Sequence, residues 1–360
     1  MVRVRPSLES QFAEELAALA EVDERPCPPQ WRLSPWAVRT YILGGTLENG
    51  VEITPKYIGC ERAVEIAIAT LVTDRALLLL GVPGTGKSWL SEHLSIAISG
   101  HSHLLVQGTA GTPEEAIRYS WNYAKLLAEG FSAEAIVPSP VLRAMDEGAI
   151  VRIEELTRLP TDVQDSLLTI LSEKRLPIPE LRGDRFANQG FNLIATANQK
   201  DRGVNDLSSA LQRRFNRVVL PLPATLEMEV EIVRRRVEAL GESLALPEET
   251  PILEEIRRVV TVFRELRQGF TEDGQVKLKS VQGVLSPADA ISVVNQGLAL
   301  AAHFGDGRLR VGDVVSGMVA VIVGESSQDA IAWEEYLETV VKQRRGWQEF
   351  YEECLERSGD

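Results

Sequence analysis

Positive charge, cysteine and long apolar stretches are what this 360-residue chain has least of. Lysine and arginine total 38 against 52 aspartates and glutamates, a formal charge of −14 at pH 7. That balance counts against nucleic acid as a generic partner, although a local basic patch could hide inside it. Cys27, Cys60 and Cys354 lie far apart and without metal-ligand spacing, which fits a reducing cytoplasm. No apolar run approaches the ~20 residues that a membrane helix needs. The opening residues Met1-Val-Arg-Val-Arg-Pro6 have no apolar signal-peptide core after them. A cytoplasmic protein without membrane contact is therefore expected. Internal repeats and low-complexity tracts are also missing. What remains is 44% hydrophobic and 25% charged, an ordinary globular balance, in a chain long enough for two or three domains.

Against that background one segment stands out. Gly81-Val-Pro-Gly-Thr-Gly-Lys87-Ser88 fits the phosphate-loop pattern G-x-x-x-x-G-K-[ST]. Its glycines let successive N–H groups turn inward on an anion. Lys87 brings a cation to the β- and γ-phosphates, and the Ser88 hydroxyl is a ligand for Mg²⁺. Such a loop belongs between a buried strand and a helix whose N-terminal dipole favours phosphate. Ala76-Leu-Leu-Leu-Leu80 has the composition of that strand, and Trp89 to Ile98 keeps apolar residues at helical spacing. The nucleotide contacts expected here are Val82, Pro83, Gly84, Thr85, Gly86, Lys87, Ser88 and Trp89, and the expected ligands are a nucleoside triphosphate and Mg²⁺.

Elsewhere the pattern divides the chain in two. Residues 7 to 21 read as one amphipathic helix, and Ser34-Pro35 as an N-cap with proline at the first helical position. A further helix runs from Glu61 to Thr73. Apolar strand-like runs follow at Ala76–Leu80, His103–Val106, Ala149–Ile153, Phe191–Ala195 and Arg217–Leu220, separated by helical stretches. That alternation predicts an α/β fold, a parallel sheet with helices on both faces. Past Pro221 and Pro223 the periodicity is helical, at Thr225–Leu240, Leu253–Gly269, Ala288–His303 and Ser327–Glu356. The expected domains are a helical extension over 1–50, a nucleotide-binding domain over 51–222, a helical domain over 223–325 and a C-terminal helical segment over 326–360.

Three further places carry chemistry. Ala149-Ile-Val-Arg-Ile-Glu154-Glu155 has the form of a strand ending in acids. One acid would sit in the metal shell (Glu154) and the next would polarise an attacking water (Glu155). A solvated acidic helix start is the structural alternative. Arg152 is unusual inside such a strand. Phe191-Asn-Leu-Ile-Ala-Thr-Ala-Asn198 ends in an amide able to orient a water, or in a purely structural one. Arg213-Arg214 precedes the last strand, either as a surface pair at a helix C-terminus or as an arginine finger toward a neighbouring subunit. Thr161-x-x-Gln164 reads as a capping box for a helix from Asp162 to Glu173.

The order of loop, acid strand, polar strand end and arginine resembles the AAA+ ATPases, and its details resemble the MoxR-like, dynein-related branch. The resemblance spans about residues 50 to 320. Beyond the phosphate loop it is carried by Tyr57-Ile-Gly59, Ser139-Pro-Val-Leu-Arg-Ala-Met-Asp-Glu-Gly148, Leu156-Thr-Arg-Leu-Pro160, Ala195-Thr-Ala-Asn198 and Ala210-Leu-Gln-Arg-Arg-Phe215. It implies a P-loop NTPase domain followed by an α-helical lid. Ile58 and Gly59 would flank the adenine, Glu155 would be catalytic, Asn198 would be sensor 1 and Arg214 the finger. Arg213 stands where this branch often has aspartate, which leaves the choice between the two arginines open.

The branch also implies two insertions. Residues 112–147 would carry a helix-2 insert, with a helix starting at Thr112-Pro-Glu-Glu115 and running through Tyr119, Trp121 and Tyr123. Residues 175–190 would form a pre-sensor hairpin turning at Gly183-Asp184, with Arg175, Arg182 and Arg185 facing either a substrate or solvent. Two departures matter: Glu154 stands where aspartate is usual, and Ala288 where the sensor 2 arginine is usual. The resemblance implies a homo-oligomer, a hexameric ring, that couples ATP hydrolysis to remodelling or maturation of a protein partner. A von Willebrand factor A-domain protein is a partner of the expected kind. A nucleic-acid-linked motor and a nucleotide-stabilised scaffold with little hydrolysis are the alternatives.

Overall fold

Five short apolar runs become one parallel sheet in the computed structural model, which describes residues 6–198, 207–241, 252–324 and 326–358. The strands are β1 (Ala76–Gly81), β2 (Leu105–Gln107), β3 (Ile150–Glu154), β4 (Asn192–Asn198) and β5 (Phe215–Val219). Their spatial order is β5-β1-β4-β3-β2, and each overlaps a run expected from the sequence. Successive strand residues point to opposite faces. Ala76 and Leu78 therefore enter one core with Val151, Ile153, Leu193 and Ala195, while Leu77 and Leu79 enter another with Ile150, Ile194 and Val218. Burial on both faces explains why β1 is a continuous leucine run rather than an alternating one. Leu90 and Leu94, from the helix Lys87–Ser99, cover one face. Val141, Met145, Leu167 and Ile170, from helices after β2 and β3, cover the other.

The chain divides into two compact units, and apart from Pro83–Thr85, which is grouped with the second, the change falls between Pro221 and Leu222. Past it, the helices Leu226–Gly241, Ile252–Gln268, Pro287–Phe304, Val311–Val323, Ser327–Thr339 and Gln348–Ser358 share a core built on Val233, Phe263, Val294, Val315, Trp333, Tyr336 and Phe350. The sequence reading did not separate Val311–Val323 as a helix, and it ran the last two together. They break at Val340 into a 3₁₀ turn, Val341–Gln343. Among the described residues no helix is long and apolar enough to cross a membrane.

Local expectations fared unevenly. Ser34 caps the helix Pro35–Leu43 by accepting from the Ala37 N–H, and its own N–H and hydroxyl donate to Asp23 at 2.7 and 2.8 Å. Ser34→Ala is expected to cost about 1 kcal/mol, as loss of a helix cap does. An unchanged denaturant midpoint would contradict this. The helix expected over residues 7 to 21 is two, Leu8–Gln11 and Ala13–Val22, interrupted where Phe12 leaves helical geometry (φ −110°, ψ 21°).

The helix expected from Thr112 through Tyr123 is not formed. Thr112 Oγ1 instead accepts from the Thr109 N–H, closing a turn, and Tyr119–Trp121 is a strand paired antiparallel with Ile136–Pro138. A single 3₁₀ turn, Glu114–Ala116, follows Pro113, and α-helix begins only at Tyr123, capped by Asn122, and ends at Glu129. The aromatic trio is thereby split, with Tyr119 buried and Tyr123 exposed. Alternating Tyr119, Ser120 and Trp121 suits a strand as well as a helix, so the pairing partner decided the outcome.

Thr161 and Gln164 make no capping box. The helix begins at Thr161 itself behind Pro160, and Gln164 Nε2 donates to the Leu159 carbonyl. The hairpin after the helix Leu167–Glu173 is present as Arg175–Ile178 paired with Gly183–Phe186. Its turn is Pro179–Arg182, with Arg182 left-handed (φ 52°), rather than Gly183-Asp184. Arg175 is occupied by Glu173 and Asp184 at 2.6 and 2.7 Å.

Candidate active site

The parallel sheet gathers the phosphate loop, the end of the acid strand and the polar strand end at one end of its three central strands. β1 hands the chain to Gly81, and Gly84 and Gly86 follow at φ +78° and +79°, a region where a side chain is strained. Gly86 is the left-handed N-cap of the helix Lys87–Ser99, so the first free N–H groups of that helix face the loop. Lys87 is buried, and its ammonium donates to the carbonyls of Gly81 and Val82 at 3.1 and 2.9 Å. Thr85 is buried, Val82 and Gly84 are half-buried, and Pro83 and Ser88 are exposed.

Beside this loop lies the segment before the first large helix. Trp89 Nε1 donates to the Lys56 carbonyl at 2.7 Å, which ties the residue after Ser88 to the approach of Ile58 and Gly59. Lys56 is itself buried against Glu15 at 2.5 Å and lies over the Phe12 ring. Tyr57 is buried as well, which pushes its phenol up to about 12, with Cys60 adding to the shift. Ile58 and Gly59 are half-buried. The two expected nucleotide-flanking segments are thus hydrogen-bonded neighbours.

β3 ends at Glu154, whose carboxylate accepts from three hydroxyls at 2.6 Å each, those of Ser88, Ser91 and Thr196. The longer glutamate side chain therefore does reach the phosphate-loop serine. A hydroxyl and a carboxylate, both hard oxygen donors, stand side by side. Mg²⁺ suits such a pair, because it takes one or two protein oxygens and fills its shell with water and phosphate. Among the described residues no three His, Cys, Asp or Glu side chains gather as a metal cage.

Glu155 turns out of the strand in left-handed geometry (φ 56°, ψ 49°). Its N–H donates to Thr196 Oγ1 at 3.1 Å, and its two carboxylate oxygens accept from Asn198 Nδ2 at 3.3 and 3.2 Å. Arg158 stands 3.7 Å away. Asn198 closes β4 level with Gly81 on β1, so the amide and the start of the phosphate loop share one end of the sheet.

Arg214 is elsewhere. β5 starts with Phe215 opposite Ala76, at the other end of β1. Arg214 donates to Ser172 Oγ at 2.8 Å and to the Ala210 carbonyl at 2.6 Å. Arg213 is exposed, and its carbonyl accepts from the Arg75 guanidinium. Ala288, where the branch would place an arginine, is the second residue of the helix Pro287–Phe304, which opens with a Ser286–Asp289 capping box.

Residues 76–215 match the model of the AAA domain, dynein-related subfamily, and residues 227–354 match the YehL-like AAA+ ATPase C-terminal domain. The Escherichia coli protein YehL is 39% identical over 356 residues, covering 97% of this chain and 96% of YehL. The chain belongs to the YehL-like AAA+ ATPases. A Staphylococcus haemolyticus protein is 28% identical over 45% of this chain and 62% of its own length. Among solved structures, Brucella abortus NtrX in complex with ADP aligns at 15% identity and a TM-score of 0.48, over 78% of this chain and 60% of NtrX. Thermotoga maritima RuvB aligns at 17% identity and a TM-score of 0.45, over 79% of each chain.

Two residues of this YehL-like site escaped the sequence reading. Ser91 lies one helical turn after Ser88, on the same face. Thr196 lies two residues before Asn198, on the same side of β4. Both spacings were visible in the sequence, but a lone serine and a lone threonine carry no motif until β3 brings Glu154 between them.

Proposed function

We propose that this protein is a ring-forming, MoxR-like ATP hydrolase that couples Mg-ATP binding and turnover to the remodelling or maturation of a protein partner. The observation that carries the shared-site part of this reading is the register of β5. Phe215 pairs with Ala76 and Asn198 with Gly81, so Arg214 and the phosphate loop lie at opposite ends of β1. Five residues at about 3.3 Å each separate those ends by roughly 16 Å, beyond the reach of an arginine side chain. An arginine so placed serves the nucleotide of a neighbouring subunit.

In this scheme the loop N–H groups and Lys87 bind the triphosphate, and Ile58 and Gly59 flank the base. Ser88 and Glu154 would hold Mg²⁺, which when bound neutralises charge on the phosphates. Glu155 accepts the proton of the attacking water, and Asn198 fixes both that carboxylate and the water. Arg214 of one subunit meets charge developing on the γ-phosphate of the next. The net acidity favours a protein partner over a polynucleotide, and a von Willebrand factor A-domain protein is a partner of the class we propose. A hexamer in the cytoplasm completes the proposal.

ATP turnover per protomer, followed across a wide protein concentration range, tests it. Specific activity should climb as subunits assemble, and Arg214→Ala should lower it by roughly 10³-fold or more, as loss of an arginine finger does. Turnover by dilute monomer at the full rate, or full turnover by the Arg214 variant, would overturn the shared site. ATP binding without turnover at any concentration would favour the scaffold reading, toward which Ala288 points.

A further inference from the structure

The scheme above leaves Arg152 without a task, yet it lies against one of the site's acids. It stands two residues before Glu154 on β3 and so on the same face of the strand. Its side chain is 7% exposed and that of Glu154 is 6%. Arg152 Nη1 is 3.4 Å from Glu154 Oε1 and 3.4 Å from Ser91 Oγ, and Nη2 donates to the Ser102 carbonyl at 3.2 Å. Ser102 is in turn clamped by Glu9, which accepts from its N–H at 2.8 Å and its hydroxyl at 2.9 Å. The guanidinium is thus fixed behind the carboxylate, while Ser88 reaches the same carboxylate from the phosphate-loop side.

Two properties of Glu154 have separate sources. Its direction comes from three hydroxyls at 2.6 Å, contributed by the helix Lys87–Ser99 and by β4. Its charge is partly answered by Arg152, whose 3.4 Å contact is long for a charge-assisted hydrogen bond and supplies attraction more than direction. In a buried strand that attraction is weakly screened. A divalent cation arriving at Ser88 and Glu154 therefore meets a carboxylate already paired and a second cation behind it.

We propose that Arg152 is a competing charge that holds down the site's affinity for a bare divalent cation, so that metal is retained only together with the phosphates of a nucleotide. The inference rests on reading Glu154 as the metal-side acid. Its sign separates it from a structural role. Removing a residue that merely orients Glu154 weakens metal binding, whereas removing a competing charge strengthens it.

The test is Mn²⁺ binding to the full chain without nucleotide, followed by electron paramagnetic resonance. Arg152→Met, close in volume but uncharged, should bind Mn²⁺ about tenfold more tightly than the unaltered protein, whereas Arg152→Lys should stay within about twofold of it. If the methionine variant does not fold, Arg152→Gln carries the same expectation. Equal affinity in the charged and uncharged forms, weaker binding by the uncharged one, or no binding by either overturns the proposal. Glu154→Gln separates the underlying reading. Weaker Mn²⁺ binding in this variant keeps Glu154 as the metal-side acid whatever Arg152 does. Unchanged binding removes that assignment, and the role of Arg152 with it.

Discussion

Glu155→Gln should still bind ATP but turn it over roughly 10² to 10⁴ times more slowly, the usual weight of a positioned general base. The substitution is close to isosteric and keeps the left-handed backbone that Glu155 already adopts, so it adds no strain. A glutamine oxygen can still accept from Asn198 Nδ2, which now stands 3.2 and 3.3 Å from the two carboxylate oxygens. The ion pair lost is the one with Arg158 at 3.7 Å, whose side chain is 55% exposed, and such pairs are worth about 0 to 1 kcal/mol. Stability should therefore barely move while chemistry collapses, because an amide cannot take up the proton of the attacking water. Single-turnover hydrolysis with ATP pre-bound decides the matter. Product appearing at the unaltered rate would remove Glu155 from the mechanism and return the double glutamate to an acidic turn after a strand.

The second large effect is on stability and lies in the helical unit. Glu229 is fully buried, and its carboxylate accepts from Arg264 at 3.1 Å and from Arg267 at 3.1 and 2.7 Å. Arg264 also holds Glu272 at 2.8 Å and the Pro223 carbonyl at 3.1 Å, and Arg267 reaches the Leu285 carbonyl. One acid thus pins the helix Leu226–Gly241 to Ile252–Gln268 and, through Arg267, to the chain just before Ser286. Glu229→Ala leaves two buried guanidinium groups facing a void. Breaking a buried charge network by removing one partner costs about 3 to 5 kcal/mol. The exposed Asp306–Arg310 pair is the contrast, because Asp306→Ala should leave the denaturant midpoint nearly unchanged. Denaturant unfolding of both variants, followed through Trp333 in the same core, checks the ranking. Equal midpoints would mean that water or a shifted side chain replaces Glu229 with little loss.

These two residues also differ in how visible they were beforehand. Glu155 follows a strand-like run at a fixed place in an ordered set of motifs, so its candidacy was open to inspection in the linear chain. Glu229 is one of several glutamates in an amphipathic helical stretch, and nothing in its neighbours distinguishes it from Glu227 or Glu231 on the surface. The distinction came from which helix packed against it. The same holds within the active site. Glu154 was legible, but its hydroxyl partners Ser91 and Thr196 and its charged neighbour Arg152 acquired roles only when β3 was laid between β2 and β4.

The misread segments follow one pattern. Thr112-Pro-Glu-Glu115, Thr161-x-x-Gln164 and Gly183-Asp184 are each consistent with a local motif, and in each the chain satisfied its polar groups otherwise. Thr112 bonded Thr109, Gln164 bonded Leu159, and Gly183 paired with Ile178. A short motif offers about 1 kcal/mol, which a neighbouring strand or turn readily outbids.

By itself, then, the sequence determined the phosphate loop, the five strand runs and the helical second half. Each of these depends on signals confined to a few adjacent residues: glycines where φ must be positive, unbroken apolar runs for strands buried on both faces, and apolar residues at helical spacing. Tertiary structure alone decided that Arg214 stands at the far end of β1 from the phosphate loop, that Arg152 backs Glu154, and that Glu229 binds two arginines. Those facts depend on strand register and helix packing between residues dozens of positions apart, and a linear chain carries no local mark of them.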